Sequence, residues 1–435
     1  MRPLPTMAPI GLAALALFTG CYGTEGGNPH GVRDLGPVLD MATSSDGFAP
    51  QPDGGGSCGV DGGPAEPRCG DEAGGPPECP CSVGDPTVFA ENAAGFGQRT
   101  TLLGPTEAGG FVAVHGRVCA ESCLHTATLE VHRFGSEGAA LGEPIEVTRS
   151  STWVEQGALL VDDSLVLVFA DERAGPSGAS DLYFARMDVS TGEWVVAPRL
   201  AVSASLPILR VWLAKTSGGF GVLYSFTIEA FDAGSPGAHL VRLDETGAAV
   251  TDPVRVLDHP HEVAGFARNG DGFLLGRWTT DTLELVPLSI DGAATGPATT
   301  WSSSVRGNGE LIIVPDGSGH RIVWSDDLGL HISMADADGA STGASATLGL
   351  GIARDVVARA DGTAAVLWSP RSPCHSSPGA EQSLLSRVDA TGARSQPDLV
   401  VPPSGELVDT ARGLVASHVT VRPASRAYWV DVCLP

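Results

Sequence analysis

From about residue 86 onward, apolar residues come in short runs separated by turn signals, with no helical period. His320-Arg321-Ile322-Val323-Trp324-Ser325 and Leu330-His331-Ile332-Ser333-Met334-Ala335 are two such runs, bounded by Asp316-Gly317 and Asp338-Gly339. Asp and Gly both tolerate positive φ, so the pattern predicts two antiparallel strands closed by tight turns. The arrangement recurs about every 45–55 residues, a propeller-like period. Each unit predicts a first strand, a turn, a second strand, a loop, a third strand ending in a glycine turn, and a short fourth strand. Second strands are predicted at Phe111–Gly116, Leu165–Ala170, Phe220–Phe226, Phe273–Trp278, His320–Ser325, Thr363–Ser369 and Arg426–Val432. Third strands end at turns around Gly138, Gly192, Gly247, Gly292, Gly339 and Gly392.

One such small sheet cannot bury both of its faces. Neighbours stacked around an axis bury them, and closing the ring removes the exposed ends. The expected fold class is all-β, a seven-bladed β-propeller (six-bladed in the alternative) preceded by a disordered tether. Trp212, Trp278, Trp324 and Trp368 are expected to pack between blades. In the last unit the first strand is placed at about Gly413–Val421 and the second at Arg426–Val432. The outer strand this unit lacks is expected to come from Thr87–Ala90, pairing antiparallel with Arg426–Val432.

Pro315–Gly339 also resembles the TolB-type propeller repeat: Pro-Asp-Gly, an apolar strand ending in an aromatic residue and Ser, then a strand closing on an Asp-containing glycine turn. Asp361-Gly362 to Trp368-Ser369, followed by Arg387-Val388-Asp389-Ala390-Thr391-Gly392, is similar, as is Leu167–Arg173 with Asp181–Gly192. The resemblance implies a fold and no particular activity, because one fold hosts many functions. Neither a Trp-Asp dipeptide nor a Ser-x-Asp-x-Gly-x-x-Trp box occurs.

Residues 1–20 read as a signal peptide, with Arg2 before the apolar core Ile10–Phe18, which is too short to span a membrane. The segment ends in Leu17-Phe18-Thr19-Gly20-Cys21, which resembles the bacterial lipobox. That resemblance implies a lipid on Cys21, and Tyr22 in place of Asp implies the outer membrane. Residues 21–85 are rich in Gly, Pro and Asp, as in Pro52-Asp53-Gly54-Gly55-Gly56. Such a stretch buries too little apolar surface to offset its ordering entropy, so it is expected to be a flexible, lipid-anchored linker. The domain plan is a signal peptide at 1–20, the linker at 21–85 and the propeller at 86–435. No later apolar run is long enough to cross a membrane, so attachment is expected through the lipid alone.

Composition narrows the partners. Asp and Glu number 51 against 26 Lys and Arg, a net charge of −25 that repels phosphate backbones and excludes nucleic acid. Export favours oxidation and no Cys-x-x-Cys pair occurs, so the cysteines read as disulfide formers rather than zinc ligands. Cys119 and Cys123 are expected to pair locally. Cys433 is expected near Cys79 and Cys81 once the ring closes, with Cys374 its competitor.

Candidate chemistry is sparse. His259-Pro260-His261-Glu262 has metal-ligand residue types but no third histidine nearby, and Asp336-Ala337-Asp338-Gly339 has two carboxylates of a calcium loop without the distal Glu. Asp162-Asp163 and Asp326-Asp327 read as solvent-facing strand ends. There is no Gly-x-Ser-x-Gly elbow. No catalytic residue, metal or cofactor is assigned. The first strands Gly157–Val161, Leu311–Val314 and Val356–Ala358 look apolar, which favours binding over catalysis.

Loop length is the informative feature. The segments after the second strands are long at 117–126, 171–180, 227–238 and 370–383, and short at 279–282 and 326–329. They define a candidate binding rim of Asp171, Glu172, Arg173, Phe231, Asp232, Arg371 and His375. The expected protein is a monomeric cell-envelope lipoprotein, at the outer membrane or cell surface, whose propeller binds a protein or glycan partner. The alternative is an extracellular glycan-cleaving hydrolase or lyase on the same scaffold.

Overall fold

Every regular element among the described residues is a strand. The computed structural model describes residue 83 and residues 86–432, except 93–98, 120–125, 151–154, 172–179, 205, 227–236, 260–262, 280, 303–310, 371–381, 397, 403–404, 412 and 421–424. The expected signal peptide, Cys21 and nearly all of the linker lie outside the described residues, as do Cys79, Cys81, Cys123, Cys374 and Cys433; Cys119 is described in its backbone only.

The first strand is β1 (Thr87–Asn92). Blade I follows as β2 (Arg99–Leu103), β3 (Phe111–Cys119), β4 (Thr126–Phe134) and β5 (Ile145–Ser150). Blade II is β6 (Gln156–Val161), β7 (Ser164–Asp171), β8 (Asp181–Asp188) and β9 (Trp194–Val202). Blade III is β10 (Ile208–Thr216), β11 (Gly219–Phe226), β12 (Ala238–Leu243) and β13 (Val254–Leu257). Blade IV is β14 (Val263–Asn269), β15 (Gly272–Trp278), β16 (Leu283–Leu288) and β17 (Thr299–Ser302). Blade V is β18 (Leu311–Asp316), β19 (Gly319–Asp326), β20 (Gly329–Ala335) and β21 (Ala346–Gly349). Blade VI is β22 (Gly351–Ala358), β23 (Ala364–Pro370), β24 (Ser383–Val388) and β25 (Leu399–Val401). Blade VII is β26 (Glu406–Thr410), β27 (Gly413–Thr420), β28 (Ser425–Val432) and, on its outer edge, β1.

Each blade is an antiparallel four-stranded sheet, and there are seven. The innermost strands β2, β6, β10, β14, β18, β22 and β26 touch in sequence, and β26 touches β2, so the ring is closed. The seven-bladed reading therefore holds. The seventh blade closes as expected, by antiparallel pairing of β1 with β28: Thr87 lies opposite Trp429 and Asn92 opposite Ser425, with Val83 bridged to Val432.

The strands of that blade each stand one place further from the axis than anticipated. Gly413–Thr420 is the second strand and Ser425–Val432 the third, because Glu406–Thr410 forms the innermost strand. Glu406-Leu407-Val408-Asp409-Thr410 has only two large apolar residues, both buried, too faint a run to stand out by pattern.

Burial explains the two kinds of strand sequence. Second strands have a blade on each side, so Leu165-Val166-Leu167-Val168-Phe169-Ala170 is apolar without alternation and buried throughout. The outer strand β9 has one face in water, with Val195 and Leu200 exposed, and its burial alternates. The core is a series of layers between blades: Val166, Val168 and Phe184 of blade II meet Val211, Leu213, Phe220 and Val222 of blade III. Trp278, Trp324 and Trp368 are buried and Trp212 partly so, within such layers.

One turn between third and fourth strands is reused. In blade III, Asp244 Oδ1 accepts from the Thr246 hydroxyl (2.7 Å) and from the N–H groups of Thr246 (2.8 Å) and Ala248 (3.0 Å). Asp389 repeats this pattern, and Asp336 repeats its two N–H bonds. The hydroxyls first, then the N–H groups, hold Asp244 and Asp389 below the usual carboxylate range. Asp336-Ala337-Asp338-Gly339 is thus a hairpin turn whose first carboxylate is spent on its own backbone. Arginines staple these turns to the preceding blade: Arg133 donates to the carbonyls of Val189 (2.9 Å) and Ser190 (3.1 Å), and Arg242 pairs with Asp291 (2.9 Å).

Candidate functional site

Connections leave the ring on two faces. First-to-second and third-to-fourth turns share one, the turn face. Second-to-third loops share the other with the links between blades, the loop face. The long loops fall after β3, β7, β11 and β23, while β19 and β20 are joined by a tight turn. Of the expected rim, Glu172, Arg173, Phe231, Asp232, Arg371 and His375 lie outside the described residues. Asp171 is described and does not belong to a surface rim. It ends β7 at 1% exposure and accepts a hydrogen bond from the Thr148 hydroxyl of blade I. An acidic residue closing an apolar run reads as the start of a loop, but here the preceding blade meets it.

Asp326 also departs from the solvent-facing expectation. Its side chain is 4% exposed. It accepts from His331 Nε2 (2.9 Å), the Ser302 hydroxyl (2.9 Å) and the N–H groups of Leu328 (2.8 Å) and Gly329 (3.2 Å). Burial pushes the carboxyl up, but these bonds outweigh it and leave the group below the usual range. His331 Nδ1 lies 3.1 Å from the Thr347 hydroxyl, and Trp324 stacks on the imidazole at 5.1 Å. Hydroxyl, imidazole and carboxylate stand in the order that nucleophilic catalysis uses. Here the group works as a clasp: Ser302 belongs to blade IV and the remaining residues to blade V, and the carboxylate is saturated by donors from both.

The inner ring is less apolar than anticipated. Strand β22 begins at Gly351, and a register shift between Ala353 and Asp355 lets it pass through Arg354-Asp355, which interrupt the apolar run in sequence. Arg354 Nε donates to Ser369 (3.0 Å). Asp355 accepts from the N–H groups of Val356 (2.8 Å) and of Leu407 on the next blade (2.6 Å). Inner strands therefore do carry charge, and their blandness no longer argues for binding over catalysis.

Burial pushes the Asp355 carboxyl up to about 7, against the pull of the Leu407 and Val356 N–H groups. Its raised value means that the folded protein binds a proton there that the unfolded chain releases. This contribution to stability is present in full below the unfolded value near 3.8 and is lost as pH rises through about 7. Asp355→Asn should remove this part of the pH dependence, at most about 4 kcal/mol across that window. Urea unfolding at pH 4, 5.5 and 7 checks it. Parallel curves for the two proteins would mean that Asp355 titrates normally.

On the loop face, where blade III meets blade IV, lies a concavity of about 500 Å³. It is lined by Arg255, Val256, Leu257, Asp258 and His259 at the end of β13, and by Arg277 and Thr279 at the end of β15. Of the expected His259–Glu262 cluster, His259 lines this hollow and the rest lies outside the described residues. Arg255 and Arg277 were not visible as a pair: they sit on different blades, and only the stacking of the blades brings them together.

The closed ring of seven antiparallel sheets, sealed by an N-terminal strand, makes this chain a seven-bladed β-propeller. No family model matches the sequence, and no curated protein matches it. Among solved structures, the Dos1 propeller is similar over 73% of this chain and 75% of that one, at 12% identity and a TM-score of 0.42. A protein of unknown function from Bacteroides caccae is similar over 70% and 94%, at 7% identity and a TM-score of 0.40. A prolyl endopeptidase is similar over 67% of this chain and 38% of its own length, at 14% identity and a TM-score of 0.35. These likenesses concern fold alone.

Proposed function

We propose that this propeller is displayed by an exported lipoprotein, anchored at Cys21 and held on a flexible linker, and that its loop face binds a protein or glycan partner at the cell envelope. The observation that carries the reading is the asymmetry of the two faces. The turn face repeats one connection, ten residues between the third and fourth strands of blades I and III to VI, tied down in part by Asp side chains and arginine staples, whereas the second-to-third connections on the loop face vary from two residues after β19 to eleven after β11 and twelve after β23. Elaborated loops on a rigid scaffold are where recognition concentrates. The resemblance of residues 17–21 to a lipobox agrees with an envelope location.

Two measurements on the full chain in its own cells test the reading. A metabolic fatty-acid label is expected on the natural chain and not on Cys21→Ser; equal labelling would end the anchor. A photo-crosslinking side chain placed at Glu172 or His375 is expected to give partner adducts, and one at Thr246 on the turn face is not. Adducts from Thr246 alone would reverse the assignment of faces.

A further inference from the structure

The hollow between blades III and IV holds two guanidinium groups that the fold does not use up. Arg255 Nη2 pairs with Asp258 (2.8 Å), and Arg277 gives Nε and Nη2 to one oxygen of Glu284 (2.9 and 2.7 Å). Arg255 spends its remaining bonds on Nε to the Leu257 carbonyl and Nη2 to that of Asp258, both at 3.4 Å. In each case Nη1 has no partner among the described residues. Arg321 of the turn face differs: 1% exposed, it gives Nε, Nη1 and Nη2 to Asp316, the Asp389 carbonyl and the Gly362 carbonyl. Arg133 likewise binds three carbonyls. In a chain of net charge −25, spare guanidinium donors from two blades over one hollow are a local exception to the field of the whole protein.

The local field agrees. His239 lies opposite Arg255 on the neighbouring strand, and burial first, then the Arg255 charge, holds its imidazole below the usual value.

We propose that this hollow binds an acidic glycan, through a sugar carrying a carboxylate or a sulfate held by the free Nη1 groups of Arg255 and Arg277. A planar guanidinium already fixed along one edge presents the other to an oxyanion without further ordering, which is what charge-assisted recognition needs. The volume is that of a small-molecule site, enough for one or two sugar rings, and among the described residues Val256 and Leu257 are its apolar lining. An extended acidic peptide would need a longer groove than the seven described lining residues provide. The inference rests on the loop face being the binding face.

Calorimetry on the full chain at low and moderate salt tests it, with tri-galacturonate, sulfated maltotriose, uncharged maltotriose and a hexa-aspartate peptide as probes. One of the two acidic sugars is expected to bind, more weakly at the higher salt, and uncharged maltotriose is not. Which acidic sugar binds separates carboxylate from sulfate. Arg255→Gln and Arg277→Gln should each weaken binding about tenfold, and Arg242→Gln on the turn face should not. Arg277→Gln strands Glu284, so if it lowers the melting temperature, the more exposed Arg255→Gln decides. Failure of both acidic sugars to bind, tighter binding of hexa-aspartate, or unchanged affinity in Arg255→Gln overturns the proposal. Loop-face crosslinks without sugar binding reject this site and keep the partner reading; sugar binding without crosslinks keeps this site and leaves a glycan, seated on blades III and IV, as the partner.

Discussion

A chain that starts after Asn92 is expected to melt more than about 10 °C below the intact protein and to self-associate. Without β1 the third strand of blade VII becomes an open edge, with the ladder from Ser425 to Trp429 unpaired. The loss also reaches blade I. Phe89 packs edge-on against His132 (5.1 Å), His115 (5.8 Å) and Phe134 (5.8 Å), and belongs to the layer that includes Phe111 and Trp429. Phe89→Ala alone should cost about 2–4 kcal/mol, below the value for a fully enclosed ring because Phe89 keeps some exposure. Calorimetry and size-exclusion chromatography read both effects, and a synthetic peptide of residues 83–95 should restore part of the loss. A truncated chain that melts like the intact one would show that blade VII is stable with three strands.

Gly247→Ala is expected to cost about 2–5 kcal/mol, from two sources. Gly247 has φ near +77°, where an L side chain is strained. An added Cβ would also overlap the ring of Phe184, which is fully buried in the preceding blade. Gly317 separates the two: its φ is +61°, but nothing lies within 4 Å of the added atom. Gly317→Ala should therefore cost only the backbone part, about 1–2 kcal/mol. Urea denaturation of both variants checks the difference. Equal losses would mean that blade II yields at Phe184 and that packing contributes nothing.

The elements legible in the sequence were those whose physics is local. An Asp-x-x-Gly turn reads directly, because the Asp side chain bonds backbone within four residues and Gly alone takes the left-handed conformation freely. The second strands of blades I to VI read directly because blades on both sides demand an unbroken apolar run. The strands that were missed depend on neighbours. Glu406–Thr410 is short and half polar, and becomes a strand by pairing with β27 and by the Leu407 N–H meeting Asp355 across the blades. Arg354-Asp355 breaks the apolar pattern, but the register shift accommodates it. Asp171 and Asp326 look like solvent-facing termini because their partners, Thr148 and Ser302, come from the preceding blade. Arg255 and Arg277 share a hollow for the same reason. In a propeller, what lies between blades is set by stacking, and one unit's pattern does not reveal it.

The strand that seals the ring is the first of the described chain, and its partner is the last. During synthesis β1 leaves the ribosome with nothing to pair with until β28 follows. At about 5–20 residues per second that interval is roughly 20–70 s. Blades I to VI are each contiguous and can form their ladders in order, while blade VII waits for both ends of the chain. Completion of the ring is thus the most non-local step of folding, and non-local pairing is slow because loop closure precedes its reward. Until then β1 and β28 are unsatisfied edges on one molecule, each able to pair with its counterpart on another copy. A cell making this protein has to keep those edges apart for the whole of that interval.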